Sequence, residues 1–171
     1  PQAGASFADN ASIGSWARDA VGRVKAGGIM DGVGGGRFNP NGFSSRAMVA
    51  QVIYNMEGSP ATAGVSGFSD VLAGQWYTNA VTWNVSAQIV KGYGNGLFGT
   101  NDPVTREQIA VILWRYAGSP LPAGTAADFA DEASINTWAT QAADWAQENG
   151  VINGKDGNRF DPQGQAQRCE V

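Results

Sequence analysis

One frame of residues occurs three times along the 171 positions of the chain. In each copy a tryptophan is followed by a glycine, then by a phenylalanine and then by an arginine, and the intervals between these four residues are identical in all three copies. Constant internal offsets of this kind indicate three copies of one structural unit. The members are Trp16, Gly32, Phe38 and Arg46, then Trp76, Gly92, Phe98 and Arg106, then Trp138, Gly154, Phe160 and Arg168.

Each copy has the pattern of a helix, a glycine-rich turn and a second helix. In the second copy, Thr105 and Gln108 have the spacing of a capping box, which predicts the start of the second helix. Ser45 is the predicted cap at the equivalent place in the first copy, and Ser15 is the predicted cap of the first helix there. Asn95-Gly96 is a strong turn signal between the helices. The chain is therefore predicted to be mainly α, with little strand.

The apolar positions of the second helices predict how the copies pack together. A unit of about sixty residues buries only roughly 60% of its unfolded surface and is marginal alone, so we expect the three copies to share a core. The stripes of the two complete second helices predict that four side chains bury one another: Val49, Ile53, Ile109 and Leu113. Val171 aligns with Val49 and Ile109, so we expect the second helix of the third copy to be truncated after its first turn.

Composition narrows the class of function. Charged residues make up 15% of the chain and the net charge is −4, which argues against nucleic acid as a partner. No apolar run approaches the roughly 20 residues needed to span a bilayer, so direct membrane insertion is not expected. The chain has no histidine, which excludes Ser-His, Cys-His and histidine–metal chemistry. We therefore expect no catalytic residue, no metal site and no cofactor.

The repeated motifs resemble the S-layer homology domain, present in three tandem copies. The resemblance rests on Phe-x-Asp at positions 7, 68 and 129, on the tryptophans, and on a helix start that is Thr-Arg-Ala-Glu in the family. Here that start reads Ser45-Arg46-Ala47-Met48, Thr105-Arg106-Glu107-Gln108 and Gln167-Arg168-Cys169-Glu170, so that only the arginine is common to all three. We expect the copies to span residues 7–57, 68–117 and 129–171, with the last one incomplete at its C-terminus.

This resemblance implies a pseudo-threefold spindle of helix–loop–helix repeats around a shared central helix bundle. It also implies a secreted, non-catalytic module that anchors a protein at the bacterial cell wall or S-layer. In that family, grooves between repeats bind a cell-wall polysaccharide, often an acidic one with pyruvyl ketals. The alternative is a protein-interaction or assembly module that uses the exposed face of the bundle. Its partners are then the rest of a larger surface protein or other chains of the same assembly.

Candidate ligand-binding residues follow from the same resemblance. They are Arg46, Arg106 and Arg168 as anion-pairing groups, the carboxylates Asp9, Asp70 and Asp131, and the aromatic and turn residues Trp76, Lys91, Gly92 and Tyr93. An arginine in the first turn of a helix stands beside unpaired amides and the positive end of the dipole, which suits a carboxylate.

Each of these residues also has a structural interpretation. The tryptophans lie in phase with apolar stripes, which favours core anchors over ligand platforms. The aspartates are candidates for capping the first helix or pairing with the arginines, and the arginines for salt bridges to an aspartate of a neighbouring repeat. The frame glycines are expected to be required mainly by the backbone conformation of the turns, ahead of any role in ligand binding.

The copies are not expected to bind equally. Lys91 and Tyr93 flank Gly92 in the second copy, whereas Asp31 stands in the place of Lys91 in the first copy and disfavours an anion there. We therefore expect the best anion site to combine Arg106 with Lys91 and Tyr93.

Overall fold

The computed structural model describes residues 7–124 and 127–171, and this part of the chain contains five α-helices. They are α1 (Arg18–Ala26), α2 (Arg46–Met56), α3 (Thr78–Ser86), α4 (Arg106–Tyr116) and α5 (Thr140–Glu148). Three short 3₁₀ turns accompany them, at Asn10–Ser12, Glu132–Ser134 and Arg168–Glu170. Over the same residues there is no strand, only isolated β-bridges. The mainly α prediction is confirmed.

The N-termini of the helices test the capping residues predicted from the sequence. The Ser45 hydroxyl accepts a hydrogen bond from the Met48 amide at 3.3 Å, which caps α2 as predicted. At α4 the capping box between Thr105 and Gln108 is complete in both directions. The Ser15 cap is wrong: α1 begins at Arg18 after Ala17, whose side chain has no group to accept a hydrogen bond.

Helix packing runs from each repeat to the next one. α2, the second helix of repeat 1, packs against α3, and α4 packs against α5 in the same way. Val49 and Ile53 of α2 and Ile109 of α4 are buried in one apolar cluster, which confirms the predicted contact of the two second helices. Leu113 packs against this cluster and is partly buried, so the predicted mutual burial is less complete at this position than at the other three.

A ring of backbone hydrogen bonds joins all three repeats just before their second helices. The Ser44 amide donates to the Ala166 carbonyl at 2.9 Å, the Ala166 amide to the Val104 carbonyl at 3.0 Å, and the Val104 amide to the Ser44 carbonyl at 2.9 Å. Ala166 also belongs to the apolar cluster of α2 and α4. The repeats therefore share a core, as expected; the spindle outline itself stays a prediction.

The frame tryptophans lie outside the core, which corrects the expectation that they anchor it. Trp16, Trp76 and Trp138 are 69%, 58% and 53% exposed. Each stands in the turn that precedes a helix, so the helical periodicity of the following residues does not include it. The next residue of the chain is buried instead, namely Ala17, Tyr77 and Ala139.

The frame phenylalanines hold each repeat together. Phe38, Phe98 and Phe160 are at most 1% exposed, and each packs against the phenylalanine of the Phe-x-Asp motif of its own repeat. Ring centroids in these pairs are 5.0–5.7 Å apart. None of the helices in residues 7–124 and 127–171 is long and apolar enough to cross a membrane.

Candidate functional site

The arginine that begins each second helix reaches across to the turn of the next repeat. Arg46 is only 6% exposed; its Nε donates to the Phe98 carbonyl at 2.8 Å and its Nη2 to the Lys91 carbonyl at 2.6 Å. The other two arginines make the same pair of bonds, from Arg106 to Phe160 and Asn153 and from Arg168 to Phe38 and Asp31. The arginines thus connect repeat 1 to 2, 2 to 3 and 3 to 1.

The arginine contacts correct the salt-bridge interpretation. Over the described residues, none of the three arginines lies within 4 Å of a Phe-x-Asp carboxylate; the Nε and Nη2 atoms of each donate instead to main-chain carbonyls of the neighbouring repeat. Each guanidinium also lies over the ring of the phenylalanine whose carbonyl it binds, 4.8–5.8 Å from the ring centroid. Carbonyl and ring together fix the guanidinium without neutralising its charge.

The Phe-x-Asp carboxylates fasten the segment after the turn within their own repeat. Asp70 accepts from the amides of Phe98 at 2.7 Å, Gly99 at 2.8 Å and Thr100 at 3.0 Å. Asp9 and Asp131 make the equivalent bonds to residues 38–39 and 160–161. They neither cap the first helix by their side chains nor pair with the arginines, so both expected structural roles are wrong.

Desolvation and hydrogen bonding act in opposite directions on Asp70. Burial alone raises the pKa of this carboxyl, but the bonds from Phe98, Thr100 and Gly99 outweigh burial and hold the pKa below its usual value. At Asp9 the Phe38 amide is the largest influence, and the pKa is lowered as well. Both carboxylates are thereby kept charged as acceptors for the backbone.

Glycine is required at the frame positions because neighbouring main-chain and ring atoms lie too close to leave room for a side chain. A Cβ on Gly92 would stand 2.3 Å from Phe68 Cε1 and 2.6 Å from the Leu97 carbonyl oxygen. The chain doubles back at this point, where the Tyr93 amide donates to the Leu97 carbonyl at 2.9 Å. Gly32 stands in the same position against the Arg37 carbonyl. A side chain does not fit in these turns.

A groove between repeats gathers several of the predicted residues, and we call it the repeat-2 groove after the turn that forms its floor. Its volume is about 470 Å³, which is within the usual range of about 300–1,000 Å³ for small-ligand sites. Arg46 comes from repeat 1 and Trp138 from repeat 3. The lining residues are Arg46, Lys91, Gly92, Tyr93, Gln108, Val111, Ile112, Arg115 and Trp138.

The repeat-2 groove is cationic. Arg46, Lys91 and Arg115 line it together with no carboxylate among the lining residues, and none of the three forms an ion pair with a residue that the structure describes. Burial lowers the pKa of Arg46, while nearby Tyr93 and Asp102 raise it. Burial also lowers the pKa of Arg115, and the charge of Arg46 lowers it further. An anion between these two guanidinium groups relieves both effects.

Aromatic rings border the cations of this groove. The Tyr93 ring lies 4.7 Å from the Arg46 guanidinium, and its hydroxyl donates to Asp102 at 3.1 Å. Tyr93 is 46% exposed and Trp138 is 53% exposed, so both offer free apolar surface. The groove therefore combines positive charge with flat apolar faces.

The remaining predicted residues lie elsewhere. Trp76 and Arg168 line a second groove of about 380 Å³, the repeat-1 groove. Its lining residues are Ile29, Met30, Asp31, Gly32, Val33, Met48, Gln51, Val52, Asn55, Trp76 and Arg168.

Arg106 faces repeat 3, where its Nη1 is 3.7 Å from Glu170, and Lys155 is 3.9 Å from the same carboxylate. The expected combination of Arg106 with Lys91 and Tyr93 is wrong, because each arginine reaches the turn of the following repeat.

Five lining residues of the repeat-2 groove were not predicted as ligand-binding residues: Gln108, Val111, Ile112, Arg115 and Trp138. Gln108, Val111, Ile112 and Arg115 recur at helical spacing along one side of α4, so a second stripe on this helix was available as a signal. Trp138 is the third member of the tryptophan set. The structure describes no group of three or more His, Cys, Asp or Glu side chains arranged to hold a metal ion.

Fold and grooves define a mainly helical module of three tandem repeats with clefts between them. The family model of the S-layer homology domain matches residues 6–47, 67–110 and 128–170. The chain belongs to the S-layer homology domain family, in three tandem copies.

Three similar proteins show where such modules occur. The chain is 31% identical to an amylopullulanase of Thermoanaerobacterium thermosulfurigenes over 92% of its own length and 9% of that protein. It is 32% identical to the exoglucanase XynX of Acetivibrio thermocellus over 92% of its length and 15% of that protein. It is 32% identical to the surface-layer 125 kDa protein of Lysinibacillus sphaericus over 85% of its length and 12% of that protein.

The chain thus spans less than a sixth of the length of each of these proteins. In the two enzymes the similarity covers only this small region. Family membership and the similarity to surface-layer proteins indicate a cell-wall anchoring module located at the cell surface.

Proposed function

We propose that this module anchors its protein by binding an acidic secondary cell-wall polysaccharide, one with carboxylates such as pyruvyl ketals, in the repeat-2 groove. The observation that carries the proposal is the set of three cations without an ion-pair partner among the described residues, Arg46, Lys91 and Arg115, beside two exposed aromatic rings. The net charge of the chain is −4, so this positive groove is a local feature that opposes the mean charge.

Arg46 is suited to hold a carboxylate. A guanidinium has five N–H donors, and those of Arg46 bond to Phe98, Lys91 and Gln108, the last at 3.3 Å. Two donors are left for a ligand. Because the side chain is already fixed by the neighbouring repeat, little further rotamer entropy is lost when an anion binds.

The side chains of Arg115 and Lys91 contribute positive charge to the groove but do not hold the described part of the fold together. Within residues 7–124 and 127–171 neither side chain donates a hydrogen bond to another residue. Tyr93 and Trp138 supply the flat surfaces on which the C–H faces of sugar rings pack. The groove thus provides charge-assisted bonds for the acidic substituent and apolar contact for the ring that bears it.

Purified cell-wall sacculi test this function directly. The module is expected to co-sediment with sacculi that retain their accessory polysaccharide and to stay in the supernatant when that polysaccharide has been stripped. Equal binding to both preparations would contradict the proposal, because the target would then be peptidoglycan or a wall protein.

One observation favours assembly as a second candidate. An apolar cleft of about 240 Å³ runs along α2 and α4 and includes Met56, which is 46% exposed, together with Leu113 and Val171. Sedimentation velocity separates the two functions: a monomer that binds polysaccharide supports anchoring alone, and an obligate oligomer without glycan affinity supports assembly.

A further inference from the structure

The residue that follows each inter-repeat arginine differs from copy to copy. It is Ala47 in repeat 1, Glu107 in repeat 2 and Cys169 in repeat 3. Its backbone makes the same contact each time, because each of the three amides donates to a main-chain carbonyl of the next repeat at 3.1–3.2 Å. Glu107 therefore places a carboxylate where the other two contacts between repeats have a small side chain.

The Glu107 carboxylate is buried beneath the segment that leads into α5. The residue is only 2% exposed. Its Oε2 accepts a hydrogen bond from the Asn136 amide at 3.2 Å, and its Oε1 accepts from Asn136 Nδ2 at 2.8 Å and from Gln163 Nε2 at 2.6 Å. Burial of a carboxylate is costly unless hydrogen bonds satisfy it, and the first turn of α4 favours its negative charge. These bonds therefore fix Asn136 against α4.

Asn136 is matched to Glu107 in the sequence. It stands two positions before Trp138, and the residues two positions before the other frame tryptophans are Gly14 and Gly74. Among the three copies, a side chain able to donate to the carboxylate thus occurs where the carboxylate occurs. The other two contacts between repeats have neither member of the pair.

Asn136 begins the turn that carries Trp138. The Ala139 amide donates to the Asn136 carbonyl at 2.8 Å, which closes this turn. Trp138 lies within it and borders the repeat-2 groove, whose other described lining residues belong to repeats 1 and 2. The bonds at Glu107 therefore determine where repeat 3 presents its indole to the groove.

Repeat 1 shows an indole in a different place. A Cβ on Gly14 would stand 2.6 Å from Trp16 Nε1, so the Trp16 indole lies back against its own turn. Trp16 lines neither of the two grooves. In repeat 3 the equivalent position carries the Asn136 side chain, which is bonded to Glu107. This side chain occupies the space into which the Trp138 indole would otherwise fold.

Trp76 is held by another means. Its ring packs edge-on against Tyr77 with the centroids 5.3 Å apart. In repeat 3 the residue at the place of Tyr77 is Ala139. Over residues 7–124 and 127–171, no aromatic ring packs against Trp138. The position of Trp138 therefore depends on its turn.

We propose that Glu107 is a positioning residue of the repeat-2 groove. Through Asn136 it fixes the turn of Trp138, so that the indole stands at the groove before the ligand arrives. Glu107 acts through this turn and does not contact the ligand. A surface that is ordered in advance loses less conformational entropy when it binds. This inference rests on the proposed function, because it concerns the affinity of the same groove.

A double-mutant cycle tests the inference with the whole 171-residue chain. Purified native wall polysaccharide is titrated into each variant by calorimetry. Trp138→Ala is expected to lower affinity roughly three- to tenfold, the range expected for one aromatic contact. Glu107→Ala is expected to lower affinity roughly two- to tenfold, and to have no further effect once Trp138 is alanine. A general loss of structure would instead lower affinity in both backgrounds.

Matched variants complete the test. Asn136→Gly installs the glycine of the other two repeats and is expected to weaken binding as Glu107→Ala does. Glu132→Ala removes an exposed carboxylate of repeat 3 and is expected to bind like the parent. Melting temperatures verify folding. If Glu107→Ala does not fold, its combination with Asn136→Gly replaces it, since that pair reproduces the contact between repeats 1 and 2.

Three results would overturn the inference. They are unchanged affinity of either folded variant, Glu107→Ala or Asn136→Gly, an equal loss from Glu107→Ala in the Trp138→Ala background, and unchanged affinity of folded Trp138→Ala itself. In each case, if Arg115→Gln still weakens binding, the proposed function stands without the positioning role. If Arg115→Gln also binds like the parent, the proposed function fails too.

Discussion

The arginine at the start of each second helix connects two repeats and also contributes positive charge at the surface between them. At Arg46, bonds to Phe98 and Lys91 tie repeat 1 to repeat 2, and the remaining donors serve the groove. Replacing such a buried arginine removes both the inter-repeat hydrogen bonds and the positive charge. Loss of binding in that variant therefore does not show which of the two was needed. Arg115 lines the same groove but makes no bond between repeats in the described part of the chain, so a substitution there tests ligand binding without removing an inter-repeat contact.

Asp70 illustrates how a single carboxylate links pH to stability. Its folded pKa is below the unfolded value of about 3.9, because backbone amides stabilise its charged form in spite of desolvation. A lowered folded pKa contributes stability that is present above the unfolded pKa and is lost as pH falls through the folded pKa. We expect the free energy of unfolding to decrease below about pH 4, and to decrease less steeply in Asp70→Asn, which is less stable than the parent at neutral pH.

Urea unfolding at a series of pH values measures this effect. The exposed Asp19 of α1 is the control position, and Asp19→Asn should follow the parent curve. Parallel acid profiles of Asp70→Asn and the parent would show that the Phe-x-Asp carboxylate does not support the turn.

At the level of elements, α4 contributes both to the core and to the site. Ile109 is 5% exposed and lies with α2 in the shared cluster. Ile112 belongs to that cluster and also lines the repeat-2 groove. Gln108 and Arg115 face the repeat-2 groove. The turn that ends at Phe98 supplies the floor of the same groove, so its shape is part of the site.

The glycine turn gives a prediction at this scale. Gly92→Ala places a Cβ against Phe68 and against the Leu97 carbonyl, which is main chain and has little room to move. We expect a loss of about 1–3 kcal/mol in the free energy of unfolding, the usual effect of overpacking.

Gly22 in α1 is the matched control for this change. A Cβ there meets no atom within 4 Å, and alanine in a helix interior is favoured over glycine by about 0.5–1 kcal/mol. Gly22→Ala is therefore expected to be more stable than the parent. Equal melting temperatures for Gly92→Ala and the parent would contradict the structural role assigned to the frame glycines.

Local signals in the sequence predicted local structure well. Ser45, Thr105 and Gln108 marked the helix starts because capping depends on near neighbours in the chain. Trp16 and Trp76 were misassigned to the core because helical periodicity does not extend into the turns where they lie. The bond from Arg46 to the Lys91 carbonyl and the position of Trp138 in the same groove as Arg115 were not predictable from offsets, since they depend on how the repeats close on one another.

For the whole molecule, closure of the repeats produces grooves of unequal charge from nearly equal units. The Ser44–Val104–Ala166 ring and the three arginines make the same contacts in every repeat. The differences lie at the rims, where Lys91 of repeat 2 is replaced by Asp31 in repeat 1 and by Asn153 in repeat 3. At the Arg106 side, Glu170 lies within 4 Å of both Arg106 and Lys155, so that part of the protein neutralises its own charge.

Isothermal titration of purified native wall polysaccharide into Arg115→Gln tests the central claim most directly. Arg115 contributes charge to the repeat-2 groove without bonding to the described part of the fold, and a charge-assisted hydrogen bond contributes roughly 1.5–3 kcal/mol. We predict a loss of affinity of about ten- to a hundredfold at an unchanged melting temperature. Arg23→Gln, the same change at an exposed arginine of α1 outside both grooves, should bind like the parent. Equal affinity of Arg115→Gln and Arg23→Gln would contradict the assignment of the repeat-2 groove as the anion site.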